Sequence, residues 1–142
     1  MLNGLTPNAK MGFHIHNGSD LSDGCTKAGG HYNPYGKQHG CPGISGSELH
    51  YGDLGNIESS ATGQCSTTFK ISGSIKAPNS IVNRAIVIHE NVDDCGLGGQ
   101  NDSLINGHAG KRIACCLITI ESCSGSGGIH IDLGPVHVGI NV

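Results

Sequence analysis

Gly12-Phe13-His14-Ile15-His16 alternates apolar and imidazole side chains. A strand sends successive side chains to opposite faces, so Phe13 and Ile15 would enter a core while His14 and His16 leave together on the other side. The same alternation marks Phe69-Lys70-Ile71 and Ile129-His130-Ile131-Asp132-Leu133. Ala85 to His89 and Ile113 to Glu121 are richer apolar runs, and their β-branched residues favour strand over helix. Clusters of Gly, Asn, Asp and Ser separate these runs, and helical periodicity is almost absent. The expectation is an all-β fold, an antiparallel β-sandwich or barrel. Two segments without periodicity, Asn17 to Asp53 and Glu90 to Lys111, are its two long loops; loops of that length are usually functional.

The composition agrees with one domain. The chain has 142 residues, 24 of them glycine, with two Phe, three Tyr and no Trp, so a core must come from Ile, Val, Leu and Ala. A net charge of −3 gives no general basic field for nucleic acid. No apolar run approaches the roughly 18 residues needed to span a bilayer. The outliers are nine histidines and seven cysteines.

Paired imidazoles on one strand face are a poor structural choice, because every ring nitrogen needs a partner. As half of a metal site the His14-X-His16 spacing makes sense. His31, His39, His50 and Asp53 follow within one Gly-rich loop, and three imidazoles with one carboxylate complete a tetrahedral zinc set. His89 ends the Ala85 run and is expected to be exposed at the mouth of the second loop. His108, His130 and His137 read as bystanders.

Gly12-Phe-His-Ile-His16, Gly24-Cys-Thr-Lys-Ala-Gly-Gly-His-Tyr-Asn-Pro34, His50-Tyr-Gly-Asp-Leu-Gly-Asn56, Val87-Ile-His-Glu90 with Asp93-Asp94, and Gly107-His-Ala-Gly-Lys-Arg-Ile-Ala-Cys115 together resemble the copper/zinc superoxide dismutase family, in order from about Leu5 to Ile120. The resemblance implies a Greek-key, immunoglobulin-like sandwich. It implies copper held by His14, His16, His31 and His89, and zinc held by His31, His39, His50 and Asp53, with His31 bridging the two. Asp93 matches the carboxylate that ties one ligand of each metal, His14 and His39, and so orients their rings. The implied reaction disproportionates superoxide to dioxygen and hydrogen peroxide through a metal that cycles by one electron. Copper can do so and zinc cannot, and imidazole ligands in a tetragonal arrangement suit Cu(II). His31 would take up and return a proton during the cycle. Arg112 matches the channel arginine that docks the anion. Asn91 and Ile105 stand where many members carry lysines, and Lys111 is placed to compensate, so a less strongly steered channel is expected. A homodimer and a copper chaperone are the partners that the resemblance implies. The competing reading, from another class, is a metal-binding or copper-carrying relative with weak or no turnover; the full ligand set with Arg112 favours the enzyme. A zinc hydrolase fits less well still, since no carboxylate is placed as a base beside an open zinc position.

Cys25 and Cys115 match the family's disulfide. An odd cysteine count leaves at least one thiol unpaired or bonded between chains. Cys41 and Cys95 occupy loop positions unusual for the family and could form a second bridge, which spacing alone does not establish. Cys116 should face the core, and the pairing of Cys65 and Cys123 is open. Cysteine usage favours an oxidising, extracellular location, as does the similarity of Asp20-Leu-Ser-Asp-Gly-Cys25 and Gly96-Leu-Gly-Gly to secreted arthropod-type members. Met1 to Lys10 lacks the apolar core of a secretory signal, which keeps a cytoplasmic location as the alternative.

The dismutase-like domain is assigned to residues 1–121. Members normally carry about three further strands, roughly thirty residues, before the Leu5-Thr6 region, so the sandwich is expected to be incomplete at the N-terminus. Residues 122–142 read as a Ser/Gly linker followed by a hairpin turning at Gly134-Pro135. That tail has two readings: replacement of the absent strands, or the disordered end of an incomplete gene product.

Overall fold

The computed structural model describes residues 1–66 and 74–119. The Phe69 strand, the assigned boundary at 121 and the whole 122–142 tail, with Cys123, His130 and His137, lie outside them. Among the described residues, four strands form one antiparallel sheet: β1 Lys10–Ile15, β2 Asp53–Glu58, β3 Ala85–His89 and β4 Arg112–Leu117, in the order β2-β1-β3-β4. The all-β expectation agrees with this architecture. A 3-10 turn, Thr26–Ala28, and a four-residue helix, α1 Ser103–Asn106, interrupt the two long loops. Among the described residues no helix is long and apolar enough to cross a membrane. Boundaries shift slightly from expectation. His16 lies one residue beyond β1, bridged to His31, and Asp53 opens β2 instead of closing the loop before it.

Phe13 lies opposite Ile88, and Ile15 opposite Ile86. With Met11, Ile57, Ile81 and Ile118 they form the main core, and all of these side chains are buried. Fully burying one such side chain contributes about 1.5–3 kcal/mol. Cys116 packs against this core from β4, as alternation requires. The opposite face carries His14, paired across the ladder with Val87, and a small cluster of Ala28, Ala85 and Val87 with Leu21 and Cys115 against it.

Two register shifts decide what else reaches the histidine face. Gly12 opposes Asn56, yet His14 opposes Asp53, so β2 spends one residue more than β1 over this interval. Gly55 sits in the left-handed region there, at φ 86°, as an antiparallel bulge favours. Strict alternation would send Asp53 and Asn56 to opposite faces; the bulge puts both beside the histidines. The second shift does the same on the far side. Ile88 opposes Ala114 while His89 opposes Arg112, so Ile113 joins Ala114 on the core side and Arg112 turns toward His89.

Candidate metal centre

The loops fold back over the histidine face, and eight side chains distant in sequence meet beneath them. His14, His16, His39, His50, Asp53, His89 and Asp93 are all buried, and the side chain of His31 is 3% exposed. The expected exposure of His89 is therefore corrected: it is 4% exposed, because the second loop returns across the end of β3 and places the Gly110 carbonyl on its ring.

Acceptor-only partners fix which nitrogen of each ring carries hydrogen. His14 Nε2 donates to Asp93 Oδ2 at 2.6 Å and His39 Nε2 to Asp93 Oδ1 at 2.8 Å. His16 Nδ1 donates to the Gly29 carbonyl at 2.8 Å and His89 Nδ1 to the Gly110 carbonyl at 3.0 Å. Each neutral ring then offers a lone pair at its other nitrogen, and those nitrogens converge. One ring nitrogen from each of His14, His16, His31 and His89 lies within 4.8 Å of the rest. A second group brings His14, His31, His39 and Asp53 together within the same limit. His50 joins that group through Nδ1, 3.3 Å from His31 Nδ1 and 3.2 Å from Asp53 Oδ1. His31, like His14, belongs to both groups; its Nδ1 lies 2.8 Å from Asp53 Oδ1, and its Nε2 is buried without a partner.

Electrostatics argue that cations belong here. Among the described residues, His14 Nδ1 and His31 Nε2 are buried without a hydrogen-bond partner, while His39 Nδ1 faces Asp53 Oδ2 at 3.0 Å. Each orphaned polar atom costs about 1–3 kcal/mol. Protons are a poor remedy on the His16 side. Burial, reinforced by His31, lowers the pKa of His16 to about 2, and burial lowers His14 to about 3 and His89 to about 4. On the other side burial also opposes charge, but hydrogen bonds to Asp53 and Asp93 outweigh it and raise His39 to about 9. Burial would raise Asp53, yet hydrogen bonds from His31, His39 and His50 hold it well below the usual carboxylate range. Asp93 is likewise held down, to about 2, by His14 and His39 against burial. Four lone-pair nitrogens face one point, and three nitrogens with a permanent carboxylate face another. The first donor set suits copper and the second a closed zinc site.

A model of the copper/zinc superoxide dismutase family matches residues 1–118. The chain belongs to that family. It is similar to a Cu-Zn superoxide dismutase of Paramecium bursaria Chlorella virus 1, 47% identical over 118 residues, which are 82% of this chain and 62% of the viral one. A Cu-Zn superoxide dismutase of Schizosaccharomyces pombe is 50% identical over 118 residues, 82% of this chain and 75% of the yeast protein. One from Cryptococcus neoformans is 45% identical over 120 residues, 83% and 76% of the respective chains. The chain thus spans under two thirds of the viral relative's length and about three quarters of these fungal relatives.

Arg112 stands at the rim of the His16–His89 side. Its guanidinium donates to the carbonyls of Cys25 at 2.7 Å, Thr26 at 3.2 Å and Gly29 at 2.6 Å. With Asp23, Gly24, Thr26, Gly110 and Lys111 it lines an open depression of about 400 Å³. A Cys25–Cys115 disulfide fastens the same loop to β4. Cys41 and Cys95 form the second bridge that spacing had left open; among the described residues Cys65 and Cys116 are free thiols. Ile105 is exposed on α1 and Asn91 on the second loop, so neither adds a cation to the rim. His108 pairs with Asp102 at 2.6 Å on the surface, away from the cluster.

Three positions act in the site that sequence reading did not single out. Asn56 donates from Nδ2 to the Asp93 carbonyl at 3.0 Å and accepts the Asp93 N–H at 2.7 Å, which clamps the Asp93 backbone to β2. Gly29 serves two residues with one carbonyl, anchoring His16 and Arg112 together. Gly107, at φ 72°, leaves room for Asp93: a Cβ there would meet Asp93 Oδ1 at 2.1 Å and His39 Nε2 at 2.5 Å. Asn56 closes the His50 to Asn56 motif and Gly107 opens the Gly107 to Cys115 motif, which was their only signal.

Proposed function

We propose that this chain disproportionates superoxide to dioxygen and hydrogen peroxide. The observation that carries the reading is the pair of converging donor sets joined through His31, with the outward nitrogens of His14, His16, His39 and His89 pinned. His14, His16, His31 and His89 would hold copper; His31, His39, His50 and Asp53 would hold zinc. Bound copper supplies the one-electron redox change, and bound zinc a fixed positive charge. The protein supplies the rest. Asp93, Gly29 and Gly110 orient the rings of His14, His39, His16 and His89, so the lone pairs stay aimed inward. His31 Nε2, buried and without a partner, is the atom placed to hold a proton and release it to the reduced product. Its Nδ1 remains against Asp53, which keeps the ring in place while the proton moves. Arg112 presents a cation at the mouth, fixed by carbonyls of the disulfide-bonded loop, and draws in a small anion.

Two disulfides among the described residues support an extracellular location, with the cytoplasm as the alternative; a homodimer and delivery of copper by a chaperone complete the proposal. Metal analysis of the purified chain, combined with superoxide consumption before and after a copper chelator, tests the reading. One copper and one zinc per chain with chelator-sensitive consumption is the expected result. Full metal content without consumption would mark a metal-carrying relative instead.

A further inference from the structure

The Cys41–Cys95 disulfide joins the two segments that meet on the zinc side. Cys41 lies two residues after His39, and the intervening Gly40 donates its N–H to Asp53 Oδ2 at 3.1 Å. Cys95 lies two residues after Asp93 and donates its N–H back to Asp93 Oδ1 at 2.8 Å. One covalent bond therefore holds the His39 segment against the Asp93 segment that orients His39. Two hydrogen bonds also tie His39 to the second loop: His39 Nε2 to Asp93, and His39 N–H to the Leu104 carbonyl at 2.9 Å. The copper set is supported differently. His14 lies within β1, His16 directly follows it and His89 ends β3, so the sheet positions three of its four rings. Of the zinc set, His31, His39 and His50 belong to the first long loop, and Asp53 alone to a strand.

We propose that Cys41–Cys95 is a dithiol-reducible latch on the zinc half of the site. The inference rests on the metal assignment above. Cys41 is buried and Cys95 half-buried, which makes the Cys95 sulfur the point of attack. A thiolate of a dithiol reductant attacks Cys95 Sγ, forming a mixed disulfide and breaking the Cys41–Cys95 bond; Cys41 leaves as a thiolate and takes a proton. The second thiolate of the reductant then attacks its own sulfur in the mixed disulfide. Cys95 leaves and takes the second proton, and the reductant carries away the disulfide, having supplied two electrons. The opened loops lose their covalent register, His39 and Asp93 drift apart, and zinc leaves before copper does.

The test follows zinc transfer to a chromogenic chelator from the full chain loaded with both metals, oxidised or treated with dithiothreitol, beside C41S/C95S. Loss of such outer support costs about 10–100-fold in metal affinity. Reduction should therefore speed zinc release at least about tenfold, with copper content unchanged. C41S/C95S should release zinc fast without reductant and gain nothing more from it. Release from C41S/C95S as slow as from oxidised protein overturns the latch, as does equal acceleration of both by reductant, which would move the effect to Cys25–Cys115. If C41S/C95S does not fold, alkylation mapping at limiting dithiothreitol replaces it: zinc loss that tracks alkylation of Cys95 supports the latch, and loss that tracks Cys115 overturns it. Oxidised protein that takes up no zinc overturns the metal assignment itself, whereas bound zinc with equal release rates overturns the latch alone.

Discussion

His16 and His89, 73 residues apart in the chain, face each other through Nε2 at 3.2 Å while the Nδ1 of each donates to a backbone carbonyl. Two lone pairs aimed at one another repel unless a proton or a metal ion lies between them, and burial disfavours the proton. Gly29 and Gly110 thus do more than support two rings: by accepting hydrogen on the outer side they commit the inner side to a cation.

Asp93 plays that part for two rings at once. In Asp93→Asn one side-chain oxygen still accepts, but the amide nitrogen can only donate, so it meets the N–H of either His14 or His39 with no acceptor. That ring must change tautomer and withdraw its inner lone pair. Affinity for the metal on the affected side should fall about 10–100-fold, measured by competition with chelators for copper and zinc separately. Unchanged affinity for both metals would contradict the assignment.

Gly107→Ala separates backbone conformation from collision. Gly107 and Gly99 both have positive φ, at 72° and 71°, but a Cβ at Gly99 meets nothing within 4 Å. Both substitutions place a side chain in the left-handed region, at about 1–3 kcal/mol. Only Gly107→Ala also drives a methyl into Asp93 and His39. Its melting temperature and zinc affinity should both drop below those of Gly99→Ala; equal losses would show that the space beside Asp93 is not critical.

Much of this site was legible because β-alternation and ligand chemistry coincide. Phe13, His14, Ile15 and His16 sort themselves onto two faces by parity alone, and Cys116 follows the same rule on β4. Parity fails at the two bulges. By alternation Asp53 opposes Asn56, and Arg112 falls on the face away from Cys115; one extra residue near Gly55 and one at Ile113 reverse both. A bulge leaves little mark in a single sequence beyond a glycine, and β4 has none. Loop closure was equally hidden. His89 reads as exposed from its place at a strand end, and only the return of the second loop buries it.

His31→Ala removes a ring shared by both donor groups, the one whose Nδ1 sits against Asp53. Zinc affinity should fall by orders of magnitude, and superoxide consumption by roughly 10²–10⁴, the range for losing a positioned proton donor. Stopped-flow consumption on copper-loaded protein decides the matter, and near-normal turnover would sink the bridging role.

Arg112→Ile should slow consumption at least about tenfold at low ionic strength and weaken inhibition by small anions. Copper content should not change, because the Gly29 carbonyl still accepts from His16. Loss of copper would show instead that the guanidinium mainly fixes the loop.

The metal-free protein should show a stability maximum near pH 6.5. Burial lowers His14, His16, His31 and His89, so below about pH 6.5 the unfolded chain binds protons that the folded one refuses. Stability therefore falls as the pH is lowered below that value, each group adding a slope of about 1.4 kcal/mol per pH unit. His39 acts in the opposite sense. Raised to about 9 by Asp53 and Asp93 against burial, it contributes fully below pH 6.5 and loses that contribution as pH climbs through 9. Four groups oppose one, so the acid limb should be the steeper. Zinc requires His39 Nδ1 as a lone pair, so its binding at neutral pH should release a proton, and filling the site should abolish the alkaline decline. Melting temperatures from pH 5 to 8.5, with and without metals, check both limbs. A flat metal-free profile, or one still rising at pH 8.5, would show that these buried rings do not titrate as their surroundings require.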